Sequence, residues 1–367
     1  HRARMTYARS LMPGVRGWLL GVAVALAGCT TAYQPLGPAI HPGRVEQHAL
    51  VATDGERLPL RSWMPPTGAP RAVILALHGM NDYSRAFEMA ATYWARRGVA
   101  TYAYDQRGFG ASGRPGIWPG AATLAADLEA AAHAVAQRHP GTPLYVLGES
   151  MGGAVVVTAL AAAASRGRPP FAGRAHGVIL SAPALWGRQT MGIFHRGLLW
   201  LAYHSMPGLQ VEPPAALKIR PSDNEDMLQA LRDDPLVIKR TRIDAIHGLV
   251  DLMSRAYDDL LRLPRDLPIL AMYGLHEQVL DRRAVTAAVQ RLAAMQAASR
   301  LRLAVYERGY HMLLRDRCAR TVWDDVLAWV DDPEIPLPSG AESVAWEPAT
   351  RDAATCPAGV APPVPGG

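Results

Sequence analysis

Six short apolar runs recur along the chain, each carrying few charges and each ending at a turn signal. They are RAVILALHG (71–79), VATYAYD (99–105), PLYVLGE (143–149), GVILSAP (177–183), PILAMYG (268–274) and LRLAVYERG (301–309). Runs apolar on both faces suit strands of a sheet that is covered on both sides. Between them lie stretches of helical length and amphipathic period, at 84–97, 121–138, 151–165, 282–297 and 317–330. This alternation predicts parallel strands joined by crossover helices, an α/β fold. Ahead of the first run, VEQHALVAT and RLPLRSWM flank Asp54-Gly55 and alternate like an antiparallel hairpin at the sheet's edge.

One interval breaks the rhythm. From Leu185 to Leu267 the chain runs far longer than a crossover needs and reads as helical, which predicts an inserted cap over about 185–267. Within it, MGIFHRGLLWLAYHSM (191–206) is apolar apart from His195, Arg196 and His204. A helix packed on the domain, a wall of an acyl-chain pocket and a membrane contact all fit that pattern.

The two ends differ from the middle. Arg2, Arg4, Arg9 and Arg16 precede an uncharged run from Gly17 to Gly28, a basic segment followed by an apolar one of the kind that directs export. A run of a dozen residues falls short of the roughly 20 needed to cross a bilayer. It ends in Leu26-Ala27-Gly28-Cys29, which resembles the lipobox of bacterial lipoproteins and implies lipid attachment at Cys29, after removal of residues 1–28. Ordinary cleavage after Ala27 is the alternative. The expected location is the bacterial cell envelope, lipid-anchored or, failing that, soluble in the periplasm or secreted. Residues 29–44 are Pro- and Gly-rich and read as a linker, 45–332 as the folded domain, and 333–367 as a disordered tail poor in large apolar residues.

Composition changes the picture little. At 367 residues, 49% apolar and 19% charged, the chain has the balance of a globular protein. Of the formal +6 charge, four come from the arginines of the export segment, leaving +2, so the apparent basicity does not argue for a nucleic-acid partner. If Cys29 carries lipid, Cys318 and Cys356 remain, as a disulfide or as two free thiols.

Candidate chemistry begins at Gly148-Glu149-Ser150-Met151-Gly152, which follows a strand and opens an Ala- and Val-rich helix. A G-x-S-x-G in that setting forms a sharp turn that lifts a Ser hydroxyl clear of the sheet, with small neighbours letting the chain double back. Ser150 is the candidate nucleophile, and the N–H of Met151 at the new helix N-terminus is one candidate donor to an oxyanion. The loop LALHGMND offers the second, the N–H of Met80, with His78 read as a structural hydrogen-bonding residue.

Together LHGMND, YAYDQRGFGASG, LGESMGG and RGYHMLLRD resemble the monoacylglycerol lipase and lysophospholipase branch of the α/β-hydrolases, also described as serine aminopeptidase-like, over about 45–330. The resemblance implies a mostly parallel eight-stranded sheet with helices on both faces, a helical cap, and hydrolysis of esters through an acyl-enzyme with no metal or organic cofactor. It makes YDQRGFGASG (104–113) a structural loop, with Asp105 and Arg107 ordering it and Gln106 and Phe109 standing where the branch usually has His. Asp234-Pro235-Leu236 is a further small likeness in the cap.

A Ser nucleophile needs an imidazole to take its proton, which in this fold sits after the last strand, and His311 in YERGYHMLLRD occupies that place. The imidazole needs a carboxylate from the loop after the preceding strand, GLHEQVLD. The branch reads Gly-x-x-Asp-x-Val-Val there, so Glu277 stands where Asp is usual and Asp281 is the rival. Glu is longer by one methylene, and its loop or rotamer has to retreat by roughly 1.3–1.5 Å to keep a normal hydrogen bond. Asp281 precedes a predicted helix and is explained as its cap, and His276 as a loop residue beside the site. The expected substrate is a lipid-derived ester such as a monoacylglycerol or lysophospholipid. Amide cleavage, acyl transfer, or an inactive scaffold serving as an envelope binding module are the competing readings.

Overall fold

The computed structural model describes residues 30–212 and 219–347. The proposed export segment, Cys29 and Cys356 lie outside them.

Five of the six apolar runs become adjacent, fully or largely buried strands in one sheet: β4 (Ala72–Leu77), β5 (Val99–Tyr104), β6 (Leu144–Glu149), β7 (Ala175–Ser181) and β10 (Ile269–Gly274). The sixth, β11 (Leu301–Tyr306), closes one edge and leaves Arg302 and Leu303 half-buried. The pairs β4·β5, β4·β6, β6·β7, β7·β10 and β10·β11 are all parallel. At the other edge β1 (Arg44–Val45), β2 (Ala49–Val51) and β3 (Arg57–Trp63) run antiparallel, and β3 pairs antiparallel with β5. The order is β1-β2-β3-β5-β4-β6-β7-β10-β11. The described sheet thus holds nine strands where eight were expected, the addition being the two-residue β1.

Two layers cover it. One core gathers Leu75, Leu128, Val146, Val156 and Leu252 on one face; the other gathers Phe87, Trp94, Leu147, Trp323 and Trp329 on the opposite face. The covering helices are α1 (Glu88–Ala95), preceded by a 3₁₀ turn over Ser84–Phe87, then α2 (Ala121–Arg138), α3 (Met151–Ser165), α7 (Arg282–Gln296) and α8 (Ala319–Asp331). The predicted 84–97 helix therefore divides.

The cap interval carries α4 (Ile193–Ser205), α5 (Glu225–Asp233) and α6 (Ile243–Asp259). It also holds a small antiparallel ladder, β8 (Gln210–Val211) with β9 (Thr241–Arg242), that a purely helical reading missed. Two-residue strands carry no period-2 pattern to read.

The stretch after Asp332 departs from the expected disordered tail in its first half. Residues 333–347 return to the sheet: Leu337 and Ala341 are buried, and the Ser339 N–H donates to Asp325 Oδ1 at 3.0 Å, while Tyr306 Oη donates to Asp325 Oδ2 at 2.9 Å. A buried carboxylate on α8 gathers donors that composition does not reveal. Residues 348–367 lie outside the described residues. Cys318, at the start of α8, is disulfide-bonded.

Candidate active site

The C-terminal edge of the parallel strands is where the predicted residues gather, as expected for an open α/β sheet. At the end of β6 the chain turns sharply into α3, and Ser150 sits in the turn with φ 52° and ψ −115°. A non-Gly residue at positive φ is strained, and the surroundings hold it there. The Ser150 N–H donates to the Ser181 carbonyl at 2.9 Å, and the Ser150 carbonyl accepts from Ala184 N–H at 2.9 Å. The turn is tight enough that a Cβ on Gly152 would stand 2.3 Å from the Leu77 carbonyl oxygen. Only glycine lets α3 start so close to β4.

Met151 is the first residue of α3, so its N–H belongs to the positive end of that helix. Met80 follows Gly79, and a Cβ on Gly79 would lie 3.3 Å from Ser150 Cβ. The two candidate donor positions thus belong to segments that meet at the nucleophile.

His78 anchors the first of these segments. Its Nδ1 donates to the Gly79 carbonyl at 2.8 Å and its Nε2 accepts from the Gln106 N–H at 3.0 Å, while Gln106 Nε2 donates to the His78 carbonyl at 2.8 Å. Burial lowers the His78 pKa and keeps the ring neutral. Gln106 and Phe109, the two departures from the resembled loop, both touch His78, Phe109 edge-on at 5.7 Å. Asp105 accepts from the Ser84 N–H at 3.0 Å and from Ala111 N–H at 2.8 Å; Arg107 pairs with Asp127 and Asp54 at 2.7 and 2.6 Å. Both order the loop.

His311 and Glu277 come from the loops after β11 and β10. Those loops pass so closely that a Cβ on Gly274 would fall 2.2 Å from the Gly309 carbonyl oxygen. Backbone bonds lace them together, Leu275 N–H to Tyr306 O at 3.0 Å and His276 N–H to Gly309 O at 2.9 Å. His311 Nδ1 meets Glu277 Oε2 at 2.6 Å, with 6% and 2% of the two side chains exposed. The extra methylene of Glu is absorbed by curling back on its own loop: Oε1 accepts the Val279 N–H at 2.7 Å and Leu280 N–H at 3.0 Å. One oxygen is fixed by the backbone and the other faces the imidazole.

Burial disfavours the imidazolium, but the charge and hydrogen bond of Glu277, with a further contribution from Glu149, outweigh it and raise the His311 pKa above its ordinary value. With Nδ1 committed to Glu277, Nε2 is the nitrogen left to accept a proton from a nucleophile.

Asp281 is elsewhere. It is exposed and caps α7, its Oδ1 accepting from Arg283 N–H at 2.9 Å and Ala284 N–H at 3.1 Å. His276 stacks on Tyr310 at 5.1 Å.

Sequence reading missed a buried ionic cluster beneath these loops, of Arg315, Asp82 and Glu149. A charged residue at the end of an apolar strand (Glu149) and another two residues past Met80 in the donor loop (Asp82) were its visible signals. A cavity of about 330 Å³ opens beside it, between α1 and α5, lined by Asp82, Tyr83 and Arg315 on one side and Met227 and Leu231 on the other. Ser150 and His311 are not among its lining residues.

With this sheet and this strained turn, the molecule is an α/β-hydrolase. A family model described as serine aminopeptidase, S33, matches residues 68–318, and the chain belongs to that family. Among its relatives are a monoacylglycerol lipase of Mycolicibacterium smegmatis, 26% identical over 290 residues, covering 77% of this chain and 96% of that protein, and the monoglyceride lipase of Homo sapiens, 27% identical over 286 residues, covering 77% and 89%. Among solved structures, a monoglyceride lipase from Saccharomyces cerevisiae superposes with a TM-score of 0.63 at 18% identity, over 81% of this chain and 99% of that one. A carboxyl esterase from Bacillus coagulans gives 0.61 at 20%, over 83% and 100%.

The two acids separate by experiment. Glu277→Gln should lower kcat toward a soluble ester by roughly 10² to 10⁴ while the melting temperature stays close to wild type. Asp281→Asn should leave kcat unchanged and lose at most about 1 kcal/mol of stability from the weakened cap. The reverse pattern would move the acid to Asp281.

Proposed function

We propose that the protein hydrolyses carboxylic esters of lipid origin, such as monoacylglycerols or lysophospholipids, through an acyl-enzyme. The observation that carries this reading is the His311–Glu277 pair, buried at 2.6 Å, at the same sheet edge as a Ser in a strained strand-to-helix turn. Ser150 Oγ attacks the acyl carbon while His311 Nε2 takes its proton, and Glu277 stabilises the resulting imidazolium. The N–H groups of Met80 and Met151 receive the oxyanion. His311 then returns the proton to the leaving alcohol, and water repeats the sequence to release the acid. These steps draw only on groups this chain supplies. The relatives named as monoacylglycerol and monoglyceride lipases support the substrate class.

The cap supports a lipid surface as the place where substrate is met. Helix α4 has no buried residue and leaves Phe194, Leu198, Trp200 and Leu201 at 88, 66, 59 and 57% exposure. An apolar face of this size on a surface helix suits an interface. The N-terminal segment runs beside that helix, with Tyr33 Oη 3.0 Å from Tyr203 Oη and Ala32 N–H donating to Asp244 Oδ2 at 3.1 Å. Cys29 precedes Ala32 by three residues, at most about 10 Å of chain. A lipid on Cys29 would therefore tether the protein on the side that bears α4, in an exported, envelope-bound enzyme.

Two measurements test these readings. Purified wild type should release fatty acid from a monoacylglycerol or a lysophospholipid, and Ser150→Ala should release at least 10³-fold less; equal release by both would remove this site as the source. In cells making the full chain, Cys29→Ser should shift the protein from the membrane pellet to the soluble fraction, and an unchanged distribution would argue against the lipid anchor.

A further inference from the structure

Arg315 lies four residues beyond His311, in the turn that leads to α8, and only 5% of its side chain is exposed. Its Nη1 donates to Asp82 Oδ2 at 2.7 Å and its Nη2 to Glu149 Oε1 at 2.7 Å. Those acids are 9% and 2% exposed. Asp82 is two residues past Met80 in the loop after β4; Glu149 immediately precedes Ser150. The Arg315 carbonyl also accepts from Asn224 Nδ2 at 2.9 Å, and Asn224 caps α5 of the cap through its own Oδ1 and the Met227 N–H at 3.3 Å.

We propose that Arg315 is a positioning residue for the hydrolytic site: one guanidinium holds the oxyanion loop, the nucleophile turn and the base loop together and screens His311 from the Glu149 carboxylate.

Two physical features support the assignment. A planar fork reaches two carboxylates in a fixed geometry, which the single ammonium of Lys does not reproduce. In a buried setting, charges so placed act on their neighbours with little screening. Several charged groups among the described residues bear on His311 or its neighbours, Arg220 lying over the Tyr310 ring at 5.6 Å and Asp223 acting on Asp316. Glu277 faces it from the loop after β10, Glu149 acts on it from the end of β6, and Arg315 acts from its own turn. Asp82 is reached through Arg315. Asp316, pushed up by burial, accepts the Tyr310 N–H at 2.8 Å, and His276 stacks on Tyr310. Of these, Glu277 and, after it, Glu149 favour the imidazolium, and Arg315 opposes it. Taking away the guanidinium leaves Glu149 and Asp82 unbalanced, so His311 holds its proton to higher pH. Taking away the Glu149 charge does the opposite.

The inference rests on the reading of Ser150, His311 and Glu277 as the reacting groups. The test is the pH dependence of kcat/KM for a soluble short-chain ester with the full chain, where the acidic limb reports the base of the free enzyme. Arg315→Met should move that limb upward by about one pH unit, Glu149→Gln should move it downward, and the double variant should return it close to wild type. Arg315→Lys should keep the wild-type limb but lower kcat by about tenfold, because the charge stays and the fork is lost. Should Arg315→Met fail to fold, the isosteric Glu149→Gln decides alone. Folded variants whose limbs all coincide with an active wild type would overturn the role of Arg315 and leave the triad standing. A wild type without esterase activity would instead count against the triad.

Discussion

The turn at Ser150 is the constraint on which the rest of the structure depends. A non-Gly residue at positive φ costs on the order of 1–3 kcal/mol and persists only where its surroundings over-determine it. Here they do so from several sides: β7 receives the Ser150 N–H, the segment after β7 donates back to its carbonyl, and the start of α3 lies against the end of β4 with no room for a side chain at Gly152. The sheet must therefore place β4, β6 and β7 side by side before the strained turn at Ser150 can form. The parallel order β4-β6-β7-β10-β11 then brings the loop of Met80, the turn of Ser150 and the loops of Glu277 and His311, the candidate catalytic parts, to one edge.

Function follows from how that edge is wired. The loops that carry Glu277 and His311 are held in contact at Gly274 and Gly309, and the cap interval braces both, through the Pro221 carbonyl accepting the Met312 N–H at 3.0 Å and the Arg220 N–H donating to Gln278 Oε1 at 3.1 Å. The longer acid fits because its second oxygen is tied to the backbone of its own loop. Beneath them, Arg315 joins three of the four loops through two buried carboxylates. Breaking such a cluster by removing one partner is costly, since uncompensated charge is left in a water-poor place.

Much of this was legible in the chain, for reasons particular to each element. Strands β4 to β7 and β10 announce themselves because both faces are covered, leaving unbroken apolar runs between turn residues. Helices α2 and α3 show their full extent, since one begins after Gly120 and the other at the nucleophile turn. Ser150 and His311 were marked by position relative to strands, and Glu277 by likeness in a loop whose spacing is fixed. What stayed hidden depends on contacts distant in sequence. The β8·β9 ladder is too short to show a period. The return of residues 333–347 is decided by a carboxylate on α8. Arg315, Asp82 and Glu149 are ordinary charged residues until the fold buries them together.

The most direct measurement is peptide mass spectrometry of the full chain after exposure to a fluorophosphonate. Reaction of Ser150 through His311 predicts one adduct, on the peptide that contains Ser150, absent in Ser150→Ala. A folded wild type that takes up no label, or takes it up at another residue, would contradict a serine-hydrolase site at this turn.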